Sequence, residues 1–214
     1  MQRRVFMTGA AALAAGTTLP RRALATQRAY RKFRVYRGSR EMGTHSLSAT
    51  LDDQGFQIDI RIKLAVRVLG ITAYRYTLIN REIWRDGTIQ SVDSRVNDDG
   101  TDDFCKIRKD GDQLSITGSR FTGTQPAEAV TTSYYDMSFL KRRPWISTQS
   151  GAALPVEIAD QGDGKWKVSG ELDTTLIYDD RGEWMGSIFD AGGETATYQL
   201  ESQTGLIAPL WSAA

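Results

Sequence analysis

From Phe56 to Val68 the chain alternates apolar and polar residues without a break, with Phe56, Ile58, Ile60, Ile62, Leu64, Val66 and Val68 on one face. Gln57, Asp59, Arg61, Lys63, Ala65 and Arg67 fall on the other face, the period-two pattern of a strand with one buried side. At about 3.3 Å per residue such a strand runs to about 40 Å, longer than most, and implies a large, curved sheet. Shorter stretches repeat the pattern at Phe33/Val35, His45/Leu47/Ala49/Leu51, Leu114/Ile116, Trp166/Val168, Trp184 with Ile188, and Ala196/Tyr198/Leu200.

Polar breaks containing glycine separate these runs and read as hairpin turns. They fall at Asp52-Asp53-Gln54-Gly55, Leu69-Gly70, Arg85-Asp86-Gly87, Asn97-Asp98-Asp99-Gly100 and Lys109-Asp110-Gly111. Three more follow at Gln161-Gly162-Asp163-Gly164, Asp179-Asp180-Arg181-Gly182 and Asp190-Ala191-Gly192-Gly193. About ten to twelve antiparallel strands follow from this spacing. The pattern lapses from Thr122 to Ser150, which contains Pro126, Pro144 and a short helix around Met137 to Lys141. The expected fold is all-β, a single curved antiparallel sheet forming a half barrel or a barrel, with that one irregular or short helical segment inside it.

The first 25 residues have a different character. Arg3-Arg4 precedes a small-residue apolar stretch ending at Ala23-Leu24-Ala25, which reads as a cleavable, twin-arginine-like export signal. The expected organisation is a signal over residues 1–25 and a single β domain over residues 26–214, working in the periplasm and soluble after signal removal. Residues 1–25 carry four Arg and no acid, so the remaining chain has 23 basic against 26 acidic side chains, a formal charge of −3. This balance argues against a nucleic-acid partner. One Cys and one His exclude an internal disulfide and a structural zinc site, and neither a metal nor a cofactor is expected.

Between Phe33 and Ser202 the chain carries Gly43-Thr44-His45, Leu69 to Tyr76, Glu82-Ile83-Trp84-Arg85-Asp86-Gly87, Ser133 to Leu140, Val168-Ser169-Gly170-Glu171-Leu172, Tyr178-Asp179, Gly182-Glu183-Trp184 and Tyr198-Gln199-Leu200. Through these motifs it resembles an uncharacterised family of exported bacterial proteins, domain of unknown function family 6134. The family usually has Ser-Tyr-Trp-Asn where this chain has Ser133-Tyr134-Tyr135-Asp136. It carries no activity to transfer, and its long strands are similar to periplasmic lipoprotein carriers, whose concave face takes acyl chains. That implies a lipid or other apolar small molecule as ligand, with peripheral contact to a membrane.

The candidate ligand-binding residues are His45, Tyr74, Tyr76, Trp84, Tyr134, Tyr135 and Trp184. His45 shares a face with apolar neighbours and would be a polar anchor or, in the bland reading, a buried histidine with its hydrogen bond satisfied. The amphipathic aromatics suit a cavity or any β core. Cys105 is a reactive thiol activated by basic neighbours, the site of an intermolecular disulfide, or a small core filler. Asn97 to Asp103 offers oxygen ligands but lacks the rest of an EF-hand, and an ordinary hairpin turn accounts for it. Lys141-Arg142-Arg143-Pro144-Trp145 either touches an anionic surface or is a solvated basic loop with Trp145 on the barrel rim. The function expected is a non-catalytic periplasmic module that binds an apolar or amphipathic ligand, or an exported partner. The alternative is an enzyme in the same cavity, using His45 with Tyr134 or Asp136.

Overall fold

Alternation becomes strand wherever the sequence carries it. The computed structural model describes residues 25–68 and 71–214; the export signal lies outside the described residues except for Ala25, as does the Leu69-Gly70 turn. Eight strands come first: β1 (Gln27–Arg37), β2 (Arg40–Asp52), β3 (Gly55–Val68), β4 (Ile71–Arg85), β5 (Thr88–Asp98), β6 (Thr101–Asp110), β7 (Gln113–Gly118) and β8 (Thr122–Pro126). The long run is β3, of 14 residues, and its neighbour β4 is longer still at 15. Its register is the expected one: Phe56, Ile58 and Ile60 are buried, while Arg61 and Lys63 are exposed.

Short pieces follow: β9 (Val130–Thr131), a 3-10 turn over Met137–Lys141, β10 (Trp145–Ile146) and β11 (Ala153–Leu154). The chain then returns to long strands in β12 (Val156–Gly162), β13 (Lys165–Gly170), β14 (Thr174–Tyr178), β15 (Trp184–Asp190) and β16 (Thr195–Thr204), and ends in α1 (Ile207–Ser212). All eight glycine-containing breaks fall between strands that pair antiparallel.

One 13-stranded sheet results, in the order β12 to β16 followed by β1 to β8. The two halves join where β16 pairs β1, so the last strand closes onto the first. The sheet is open between β8 and β12, its two edges, which makes it a half barrel. The segment between those edges supplies the plug, a small sheet in which β10 pairs parallel with β9 and antiparallel with β11. The plug buries Val130, Tyr135, Phe139, Trp145 and Ile146 against the concave face. Its 3-10 turn spans the expected Met137 to Lys141, N-capped by Asp136, whose Oδ1 accepts from the Ser138 amide at 2.8 Å.

Arg31 and Leu200 both depart from the alternation. Arg31, on the inward face of β1, is only 2% exposed; its Nη2 lies 2.8 Å from Oε2 of the fully buried Glu183. Arg31 also donates to the Trp184 carbonyl and, at 3.0 Å, to Gln203 Oε1, while Glu183 Oε1 accepts from the Ala208 amide at 2.7 Å. This pair ties β1, the start of β15, β16 and α1 together. Burial pushes the guanidinium down and the carboxyl up, and their mutual attraction opposes both shifts. The second departure is Leu200, placed inward by alternation yet 37% exposed. It stands at a β-bulge, where β16 holds an extra residue opposite Lys32 and Phe33, and bulges re-aim side chains.

Candidate functional site

The concave face is stacked in tiers along the strands. At one end α1 and the plug close it: Trp84, Phe56, Tyr135, Phe139 and Trp211 form a continuous aromatic cluster, with Trp84 and Trp211 perpendicular at 4.9 Å between centroids. The middle tier holds Phe33, His45, Trp184, Tyr198 and Tyr134, again ring against ring. Above it the filling stops. Ile62, Leu64 and Val66 continue the apolar face of β3 but are only half-buried, and Tyr134 of the plug segment stands with them around open space.

A cavity of about 670 Å³ occupies that open end, within the range typical of small-molecule sites. Its apolar walls are Met42, Ile62, Leu64, Val66, Leu172 and Phe189. Tyr74, Tyr76, Tyr134 and Tyr198 add rings with polar tips, and Arg37, Asp173 and Asp190 supply its charged groups. Gly43 lies in this tier, paired with Leu64, with φ +148°, and a Cβ there would sit 2.0 Å from the Lys63 carbonyl oxygen. The glycine of the Gly43-Thr44-His45 motif is therefore required by the close pairing of β2 and β3, and it leaves the level of the cavity free of a side chain.

The structure divides the expected aromatic ligand residues into three groups. Tyr74, Tyr76 and Tyr134 line the cavity. Trp184, 1% exposed, supports its inner end, packing against Tyr134 at 5.4 Å and Tyr198 at 5.3 Å. Trp84 and Tyr135, 0% and 1% exposed, belong to the closed aromatic cluster, because the plug and α1 seal that end of the sheet. Tyr198 lines the cavity although its place in a weak alternating run did not distinguish it from core. Met42, Leu172 and Phe189 carry no polar signature, so their role was invisible before the strands were ordered.

His45 is behind the wall and 3% exposed. Its Nδ1 lies 3.4 Å from the Tyr198 hydroxyl, a long contact, and Nε2 is buried with no partner among the described residues. Desolvation pulls its pKa down to about 3, so the imidazole is neutral at physiological pH. It makes no hydrogen bond to Tyr134 or Asp136. Asp136 instead caps the 3-10 turn, and the Tyr134 carbonyl accepts from the Tyr178 hydroxyl at 2.8 Å. Tyr134 adopts φ +33°, a conformation that costs a non-glycine residue on the order of 1–3 kcal/mol, and its fixed carbonyl and packed ring hold it there.

Glu82 and Ser133, both from motifs of the resemblance, meet in the core. Glu82 is fully buried and accepts from Asn80 and Trp84 at 2.8 Å each and from the Ser133 hydroxyl. Burial raises its pKa and the three donors counter that shift. The plug is thereby latched to β4 through Ser133. Cys105 is fully buried, and burial pushes its thiol up to about 12, opposite to the activation its basic neighbours would give. The Asp-rich turn between β5 and β6 closes on itself, Asn97 donating to Asp102 at 2.6 Å and accepting from the Gly100 amide at 3.1 Å.

In the basic cluster, Arg142 donates to the Gly87 and Glu128 carbonyls and lies 5.8 Å from the centroid of the Trp84 ring. Trp145 is fully buried rather than on the rim, because β10 inserts between β9 and β11. A smaller, more polar cleft of about 380 Å³ adjoins the cavity across Ile62, Tyr76, Tyr134 and Leu172, with Thr132, Thr148, Gln149 and Arg120 on its far side.

No curated protein matches the chain. Among solved structures, the chain is similar to a β-barrel-like protein of a domain of unknown function, DUF1849, from Brucella abortus, with a TM-score of 0.55 and 9% identity. The alignment covers 84% of this chain and 97% of that one, and at this identity it shows a shared fold. The family described as a domain of unknown function (DUF6134) matches residues 33–201, most of the chain, and the protein belongs to that family.

Proposed function

We propose that the protein is an exported, non-catalytic module that holds an apolar or amphipathic small molecule in the cavity at the open end of the half barrel. The observation that supports this reading is the change along β3: one apolar face is core at Phe56 to Ile60 and cavity wall at Ile62 to Val66. A structural core has no use for a half-exposed apolar wall of that length, whereas a ligand does. The burial and neutrality of His45 favour binding over acid-base catalysis, which needs an accessible group titrating near the working pH.

N-phenyl-1-naphthylamine should bind saturably at one site and be displaced by 1-alkanols. Alkanol affinity should rise by about 0.8 kcal/mol per CH₂ until the cavity is filled. Leu64→Trp should abolish binding while the melting temperature holds; absent or length-independent binding would overturn the proposal. Periplasmic placement rests on Arg3-Arg4 and Ala23-Leu24-Ala25. N-terminal sequencing of the periplasmic protein should begin at Thr26, and replacing both arginines with lysine should block export.

A further inference from the structure

Among the described residues the cavity lining is rich in tyrosine hydroxyls and carries one positive side chain, Arg37. Tyr76, Tyr134 and Tyr198 stand half-buried on its wall, close enough that ionising one phenol disfavours ionising the others. Among the described residues the hydroxyls of Tyr76 and Tyr134 have no hydrogen-bond partner, and that of Tyr198 has only the long contact to His45. Burial raises the pKa of all three, so each keeps its proton and remains a donor throughout the ordinary pH range. Tyr74 differs, its hydroxyl being spent on Asp98 at 2.7 Å.

The charged groups of the cavity are all engaged elsewhere. Arg37 donates to the Ala191 and Gly192 carbonyls at 2.6 and 2.9 Å and lies 3.1 Å from Glu194. Asp173 is paired with Lys167, and Asp190 accepts from the Gly193 amide. Beside Tyr76 the field is negative: Asp98 and Asp103 both disfavour a negative charge on its hydroxyl. In the adjoining cleft Arg120 is mostly exposed and 4.0 Å from Asp103, and Glu171 lines the same cleft. An ionised headgroup brought to the three phenols would lose its water and meet no counter-charge, which is costly. An uncharged oxygen would lose less and gain hydrogen bonds from the Tyr76 and Tyr134 hydroxyls, otherwise left without a protein partner, and from Tyr198.

We infer that the ligand of this cavity is an uncharged apolar molecule bearing a carbonyl or ester oxygen, which the hydroxyls of Tyr76, Tyr134 and Tyr198 hold at the inner end, and that ionised fatty acids are discriminated against. This rests on the binding reading above and narrows it to a chemical class.

The test is displacement of N-phenyl-1-naphthylamine from the full exported protein by a fatty acid, its methyl ester and the matching alkane, all of equal chain length. At pH 7.5 the ester should bind at least tenfold more tightly than the fatty acid, and the gap should close below about pH 4, where the acid is protonated. Tyr76→Phe combined with Tyr134→Phe removes no hydrogen bond within the protein. It should lower ester affinity about tenfold, leave alkane affinity unchanged and preserve the melting temperature. If the naphthylamine probe itself does not bind, the binding function fails. If the probe binds but ester and alkane bind alike, or the fatty acid binds as tightly as its ester at pH 7.5, the binding function stands and the carbonyl-recognition inference is overturned.

Discussion

A neutral histidine in an aromatic box ties stability to pH. His45 has its pKa pulled down to about 3 by burial, against about 6.5 in an unfolded chain. Below pH 6.5 the unfolded state takes up a proton that the folded state refuses until about pH 3. The stability associated with neutral His45 is therefore fully present above pH 6.5 and lost as pH falls through that window. Between pH 8 and pH 5 the loss is about 2 kcal/mol, to be measured by urea denaturation at each pH. Glu82, Glu183 and Asp136 act in the opposite direction, since burial raises each of them and the folded state then gains relative stability as pH falls. His45→Leu isolates the first effect: its stability should fall less on acidification than that of the parent, and equal slopes would refute the assignment. The single histidine was legible as unusual, but whether it faced ligand or core was not, because that depends on Tyr198 and Trp184, more than 130 residues away.

Among the elements, β3 carries both the core and the site. Ile58, fully buried, and Lys63, exposed, make the pair that checks its register. Ile58→Asp buries a carboxylate without a partner and should cost several kcal/mol, roughly enough to unfold a marginal domain. Lys63→Asp should change stability by about 0.5 kcal/mol or less. Similar melting temperatures for the two variants would contradict the register. Ile62 falls on the same face as Ile58, yet it is half-buried and lines the cavity, so position along one strand decides whether an apolar side chain is packed in the core or left beside open space. Period-two alternation reads the face of a strand and is blind to depth. The closing helix α1 escaped the reading for a related reason: six residues are too few for a helical period to emerge, and Ile207, Ala208, Leu210 and Trp211 are all buried by contact with the sheet end rather than by any pattern of their own.

For the molecule as a whole, the sheet is stitched at its middle and free at its margins. β1 pairs with both β2 and β16 along most of its length, whereas β8 and β12 each have one neighbour in the large sheet. Native-state hydrogen exchange should find the slowest amides in β1 to β5 and progressively faster ones towards β8 and β12. Uniform protection across all thirteen strands would mean that the two edges meet in solution. The plug is expected to exchange slowly despite its irregular backbone, since Ser133 is bonded to buried Glu82 and Trp145 donates to the Phe139 carbonyl at 3.1 Å.

The sequence by itself determined most strand faces, the described turns, the large curved sheet and the 3-10 turn at Met137 to Lys141, because each is set by residues within one or two strands of one another. It also named Tyr74, Tyr76 and Tyr134, which line the cavity, together with His45, Trp84, Tyr135 and Trp184, which do not. What it could not supply was strand order across the seam, where β16 joins β1, and with it the inward ion pair of Arg31 and Glu183. Nor could it separate Trp84 and Tyr135, sealed beneath Trp211, from Tyr76 and Tyr198, left beside open space. Only the tertiary structure decided that division. An apolar face becomes core where another element covers it and cavity where none does, and coverage is a property of strands brought together from opposite ends of the chain.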